Sequence, residues 1–364
     1  MKISSVIQHL ETIASTALQE SYDNAGLLTG DAEWECTGII IALDSTEEVV
    51  QEAISKNCNL IIAHHPIIFK VLKKINGKSY VERTIIAAIK NDIGIYSIHT
   101  NLDNVIKGVN GKIAGLLQLQ NITILKPREH VLKKLVTFAP LQHAEELRKS
   151  LFAAGAGRLG GYSECSFNVE GVGTFKAGEG ADPYVGEIGK RHEEREIKIE
   201  IIFPAYLQSK VIKAMTEAHP YEEVAYDIFS LANYLSDVGS GLIGDLPEIS
   251  DETELLQKIK TIFYLKVIKH TALSGNKVKR IAVCGGAGSF LIPDAIAGGA
   301  EVYITSDVKY HEFFDADNKI LLADIGHYES EQFTIDLLYE IIKEKYPNFA
   351  VLKTAINTNP VYYF

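Results

Sequence analysis

Three short apolar runs, residues 38–43, 60–63 and 93–98, separated by two segments of helical spacing, constrain this chain more than any other feature. Apolar runs of about four to eight residues bounded by turn signals read as buried strands, and a strand–helix–strand–helix–strand order makes them neighbours in a parallel sheet. The first intervening helix is announced by Ser45 as N-cap with Glu48 as its capping-box partner, and it carries Val49, Val50, Ala53 and Ile54. Ligands bind such sheets beyond the carboxyl ends of the strands. Two of those ends carry reactive side chains. One run stops in His64-His65-Pro66, where Pro66 cannot continue the ladder, and the next stops in His99-Thr100-Asn101-Leu102-Asp103. Neighbouring strand residues point to opposite faces, so His64 and His65 suit two ions, or one ion and one substrate, better than one chelated ion.

The texture changes at about residue 129 and the α/β pattern resumes near 236. Between them come a strand at 135–138, a helix at 142–152, a glycine-linked hairpin at 165–169 and 171–175, a strand at 197–203, a helix at 207–217 and a strand at 226–231. With one extra strand set aside the order is βαββαβ, a ferredoxin-like unit, and residues 155–161 and the charged 190–196 are its loops. The expected domains are therefore a core of residues 1–128 and 236–364 and an inserted α+β domain of residues 129–235. In the resumed core, strands at 280–284, 302–304 and 319–323 end in Cys284-Gly285-Gly286-Ala287-Gly288-Ser289, Thr305-Ser306-Asp307 and Asp324-Ile325-Gly326-His327. A helix follows with Glu331 in its first turn and Phe333, Ile335, Leu337, Leu338 and Ile341 on its apolar face. The fold class expected is α/β, with two βαβ-type halves forming one core. A cleft at the strand ends would bring His327 and Glu331 opposite His64 and His65.

Composition excludes several classes. At 364 residues, 46% hydrophobic and 23% charged, the chain suits a soluble two-domain protein. No uncharged apolar run reaches membrane-spanning length and the N-terminus lacks the pattern of a signal peptide, so a cytoplasmic protein with no membrane partner is expected. A net charge of -11 argues against nucleic acid as a partner. Cys36, Cys58, Cys165 and Cys284 form no CxxC pair and suit reduced thiols better than disulfides or a zinc-thiolate site.

Two glycine motifs carry alternatives. Gly239-Ser240-Gly241-Leu242-Ile243-Gly244 has the letters of a dinucleotide fingerprint, but Asp245-Leu246-Pro247 stands where that fingerprint needs a helix, so a turn is expected. The segment from Cys284 to Ser289 either presents backbone N–H groups to a phosphate or packs a strand tightly against a helix. No nucleophile elbow or Walker sequence is present.

Taken together, His64-His65-Pro66, His99-Thr100-Asn101-Leu102-Asp103, Cys284-Gly285-Gly286-Ala287-Gly288, Thr305-Ser306-Asp307 and Gly326-His327-Tyr328-Glu329-Ser330-Glu331 resemble the Nif-three-like dinuclear metal-centre family, also known as GTP cyclohydrolase I type 2 homologues. Tyr22-Asp23-Asn24-Ala25-Gly26-Leu27 resembles its N-terminal motif, and the likeness runs from end to end. The middle segment, with Gly160-Gly161-Tyr162 and His219-Pro220-Tyr221-Glu222-Glu223, is similar to the CutA- and PII-like insert of the family's longer bacterial members. The resemblance implies His64, His65, Asp103, His327 and Glu331 as metal ligands, and a homohexamer built as a trimer of dimers with its metal sites facing an internal cavity. Asp307 departs from the pattern, standing where some members carry Glu.

The chemistry of those residues is consistent. Three imidazoles and two carboxylates without a thiolate suit zinc first, then iron, manganese, cobalt or nickel, and not calcium or magnesium. Five protein ligands leave open positions on two divalent ions, and water shared between such ions becomes a hydroxide nucleophile near neutral pH. The local charge favours a small anionic substrate. His99, four residues before Asp103, is the candidate catalytic residue, to orient that ligand or move a proton. A metal-dependent hydrolase acting on a nucleotide, as the family's cyclohydrolase name implies, is one expectation. A non-enzymatic metal-binding regulator with a ligand-sensing insert is the other.

Overall fold

The computed structural model describes residues 1–364. The chain divides into two units, Met1–Pro127 together with Asp237–Phe364, and Arg128–Ser236.

The first unit contains two sheets. One orders its strands Gly26–Thr29, Gly94–Ser97, Leu60–Ala63, Ile39–Ala42 and Val351–Lys353, all parallel except the first. Every residue of its three inner strands is buried, which is why these stretches show no polar alternation. The helices Glu47–Ser55 and Tyr80–Lys90 pack Val49, Val50, Ala53, Ile85 and Ala88 against Ile40, Ile61 and Ile95. Ser79 caps the second helix, its hydroxyl accepting the Glu82 amide at 3.2 Å and donating to the Glu82 carboxylate at 3.1 Å. The cap of the first is Thr46, whose hydroxyl accepts the Val49 amide at 3.4 Å. Ser45, expected in that role, is buried in the turn that leaves the strand, and this moves the helix start one residue on.

The other sheet orders Lys269–His270, Leu321–Asp324, Val302–Ser306, Lys277–Ala287, Gly239–Asp251 and Gln120–Pro127, with the second, third and fourth parallel to one another. The expected turn at Gly239 to Gly244 is instead the start of a strand hydrogen-bonded on both sides, with Leu242 opposite Val283 and Ile124. Gly239 has φ 155°, and a Cβ there would lie 2.2 Å from the Lys126 carbonyl oxygen. The glycine permits close backbone approach. The expected single helix after His327 is two, His327–Glu331 and Thr334–Lys345, so Glu331 closes a short helix and does not open a long one. Continuous apolar spacing across Gln332 and Phe333 conceals that break.

In the second unit, the strands Phe167–Lys176, Arg191–Pro204, Leu132–Pro140 and Tyr226–Ser230 lie side by side in that order, each pair antiparallel. The helices Ala144–Ala153 and Gln208–Ala218 cover one face through Leu147, Leu151, Val211 and Met215, against Leu135, Ile199, Ile201 and Phe203. The hairpin expected around residue 170 is one continuous strand, because Gly171 pairs with Glu196 without turning the chain. The charged stretch 190–196, expected as a loop, is largely strand as well. Its charges alternate between faces with period two, which composition alone hides.

Candidate metal centre

The strand Leu60–Ala63 hands its ladder on to the histidines: the His64 amide donates to the Ala42 carbonyl at 3.3 Å and the His65 amide to the Leu43 carbonyl at 2.9 Å. Their side chains therefore leave the sheet edge in different directions. His64 Nδ1 donates to the Ile98 carbonyl at 2.9 Å, and His65 Nδ1 to Asp44 Oδ1 at 2.8 Å. From the other half, His327 Nδ1 donates to Asp307 Oδ2 at 2.7 Å, and His99 Nδ1 to Asp23 Oδ1 at 2.7 Å. Each imidazole is thus held from behind by an oxygen that fixes the proton on Nδ1 and turns Nε2 inward, the support that metal-binding histidines need.

The inward atoms form two sets that meet on Glu331. Glu331 Oε2 lies 3.0 Å from His65 Nε2 and 3.1 Å from His327 Nε2, while Oε1 lies 3.7 Å from His64 Nε2. Asp103 Oδ1 lies 3.6 Å from His64 Nε2. Ligand atoms of His64, Asp103 and Glu331, of His65, His327 and Glu331, and of His64, His65 and His99 form three groups, each with all its atoms within 4.8 Å of one another.

These residues fit a metal. His64 Nε2 and Asp103 Oδ1 are buried and have no hydrogen-bond partner, although such orphaned atoms are costly. They face one another at 3.6 Å, too far for a hydrogen bond and suited to two atoms each bonded about 2.0–2.2 Å from a shared ion. The donor set of imidazole and carboxylate is that of zinc and its neighbours.

Electrostatics point the same way. Burial works against charge on His65 and His327, but the carboxylates of Asp44, Asp307 and Glu331 outweigh it and raise them to about 9 and about 11 respectively. Burial and then the Glu331 charge push Asp103 well above the usual carboxylate range. Glu331 resists its own burial through the His327, His64 and His65 imidazoles and stays well below that range. The carboxylates of the cluster thus favour positive charge at its centre, as expected of a pocket built around cations.

The turn from Cys284 to Ser289 packs against this centre through its first two glycines. The Gly285 amide donates to Asn110 Oδ1 at 2.9 Å and the Gly286 amide to Ser330 Oγ at 3.0 Å, so neither is free for an anion. A Cβ on Gly286, whose φ is +64°, would lie 2.2 Å from Glu331 Oε1. Asn110 also donates to the Asp103 carbonyl at 3.1 Å and so joins the two halves beneath the site.

All six residues singled out from the sequence, His64, His65, His99, Asp103, His327 and Glu331, come together here. Asp307 lies behind His327, in a left-handed backbone conformation with φ 54° that Asp tolerates better than most side chains. Asp23, Asp44 and Asn110, which the sequence does not single out, support these residues from behind. Asp44 follows a strand of the first half as Asp307 follows one of the second, a positional signal that could have found it.

The fold and site define a mixed α/β protein with several sheets and a histidine–carboxylate cluster at strand ends. The family model for Duf34/NIF3 (NGG1p interacting factor 3) matches residues 1–360. A Halalkalibacterium halodurans protein named GTP cyclohydrolase 1 type 2 homolog is 38% identical over 368 residues, 99% of each chain. One of the same name from Bacillus subtilis is 38% identical over 325 residues, 89% of this chain and 87% of that one. The crystal structure of a Bacillus cereus protein related to NIF3 superposes with a TM-score of 0.86 at 39% identity, covering 100% of this chain and 99% of the other. The chain belongs to the Duf34/NIF3 family.

Proposed function

We propose that this chain is a dinuclear metal-dependent hydrolase. His64, Asp103 and Glu331 would hold one divalent transition-metal ion, and His65, His327 and Glu331 would hold a second. The observation that carries this reading is the division of the Glu331 carboxylate between two ligand sets. When bound, a pair of such ions supplies Lewis acidity and activates water at neutral pH. The chain's own part is positional. His99, fixed on Nδ1 by Asp23, stands with its ring centroid 5.2 Å from that of His64 and 5.4 Å from that of His65, placed to hold or pass a proton at Nε2. The relatives' shared name makes GTP the first substrate to test.

The decisive experiment follows formate and phosphate side by side when metal-loaded protein meets GTP. Formate release that falls in proportion to chelation supports purine-ring opening, and phosphate release from GTP and simple esters would replace it with a phosphatase. Neither product at any metal loading would favour a regulatory metal-binding protein. That second reading draws support from the strand order of the Arg128–Ser236 unit, which we assign as an inserted ferredoxin-like domain of CutA/PII type, and from the cavity on its sheet. The proposed assembly is a cytoplasmic homohexamer, to be tested by sedimentation at micromolar concentration, where monomer alone would exclude it.

A further inference from the structure

The Arg128–Ser236 unit has a cavity of about 620 Å³. Phe138, Lys198 and Val169 are paired across three strands and line it, whereas the neighbouring Ile199 packs under the helices. Side chains alternate along a strand, so the cavity lies on the sheet face turned away from the helices. Two glycines make its floor. A Cβ on Gly171 would meet nothing within 4 Å, so the missing side chain is the room itself. A Cβ on Gly173 would lie 2.1 Å from Glu196 Oε2, so the Glu196 carboxylate lies across that glycine.

Phe175, Tyr221 and Tyr184 form one aromatic wall, with successive ring centroids 6.5 Å and 6.2 Å apart. Two of its rings are braced. The Tyr221 amide donates to His219 Nδ1 at 3.0 Å, His219 Nε2 donates to the Phe138 carbonyl at 2.8 Å, and the Tyr184 hydroxyl lies 2.9 Å from His143 Nε2. The polar groups on offer are acceptors. The Tyr221 hydroxyl donates to Glu196 Oε1 at 2.8 Å, and burial followed by that carboxylate pushes the phenol far above its usual range, so it stays a neutral donor. Lys198, the one cation of the lining, is paired with Glu200 at 2.5 Å, while Glu222 and Glu223 add negative charge.

We propose that this cavity binds an organic cation bearing N–H donors on an apolar body, such as an alkylammonium or amidinium, with its charged end on Glu196 Oε2 and its body against Phe175, Tyr221 and Tyr184. A carboxylate without a cationic partner accepts charged N–H donors strongly, and aromatic faces attract cations and apolar groups alike. The site lies within one unit, so its occupancy is separable from hydrolysis at the metal centre.

Titration calorimetry on the full chain, chelated and zinc-loaded, tests this with phenethylamine and benzamidine as probes and phenethyl alcohol as the uncharged control. Both cations are expected to bind in either metal state, and the alcohol at least about tenfold more weakly. Glu196→Gln should cost about tenfold or more, and Gly171→Leu, which fills the room on extended backbone, should abolish binding. In the unaltered protein, amide shifts at Gly171 and Gly173 should follow the same titration, so the outcome does not depend on the variants folding. Equal binding of the alcohol, an unchanged Glu196→Gln variant, or no shift with either cation at about 10 mM would overturn the proposal.

Discussion

His65 and His327 reach one another from opposite halves of the core, their Nε2 atoms 3.2 Å apart, and each is held from behind by an aspartate. Without an ion, the two cationic rings are kept together by Glu331, whose Oε2 lies 3.0 Å from one and 3.1 Å from the other. A divalent ion would replace their protons and remove the repulsion between them.

Metal content follows from the way Glu331 divides its oxygens. Protein prepared without chelators is expected to hold close to two transition-metal ions per chain by elemental analysis, and His64→Ala to lose one. Glu331→Ala should lose both, because the two carboxylate-containing ligand sets each use one of its oxygens. Chains that carry no metal under these conditions would remove the dinuclear centre.

The pH dependence of the chelated protein has a defined sign. His65 and His327 titrate at about 9 and about 11 when folded, against about 6.5 for an unfolded histidine. A raised folded value contributes stability that is complete below about 6.5 and is lost as pH climbs through about 9 and beyond. Thermal unfolding of chelated protein should therefore shift to lower temperature between neutral pH and pH about 10, with a weaker shift in His65→Gln. Zinc loading at neutral pH should release protons, measured by calorimetry in buffers of different ionisation enthalpy.

The carboxylates behind the histidines should matter almost as much as the ligands. Asp44→Asn and Asp307→Asn are each expected to weaken zinc binding by about 10–100-fold in competition with a chromogenic chelator, with the circular dichroism unchanged. Thr358→Val, which removes only the hydroxyl that donates to Asp44 Oδ2 at 2.6 Å, should cost less, on the order of 1 kcal/mol.

Replacing residues 129–232 with a Gly/Ser linker should leave a folded core that still binds metal. Pro127 pairs with Gly239 on adjacent antiparallel strands, so the linker has only a short gap to bridge. The buried cluster of the replaced segment is drawn entirely from residues 135–228. Insoluble or metal-free products across several linker lengths would show that the core needs that segment.

How much of this could be read from the sequence depends on range. His64, His65, Asp103, His327 and Glu331 were legible because each sits at a strand end or in the short helix that follows, where the apolar pattern stops and the function-bearing residues begin. Asp23 and Asp44 were not, because what identifies them is an oxygen placed behind a ring 76 and 21 residues away. The glycines were less legible. Gly239 to Gly244 shares its letters with turns and cofactor loops, and only φ and the approach of Lys126 reveal a strand. Gly286 left a phosphate contact and tight packing equally open, and a Cβ there would meet Glu331.

The contact between His65 and Glu331 closes a loop of 266 residues, and the whole Arg128–Ser236 unit lies inside it. Closing a chain over that distance costs entropy that grows only with the logarithm of its length, so a much longer loop would have been little harder to close. Ions held across the closure would act as a clasp on the polypeptide. With the clasp shut, the enclosed unit can melt and reform within a ring while the ends of the core stay joined. With it open, the pairing of Val351–Lys353 with Ile39–Ala42 is what still ties the last part of the core to the first, so metal loss should be felt most in how fast the chain comes apart.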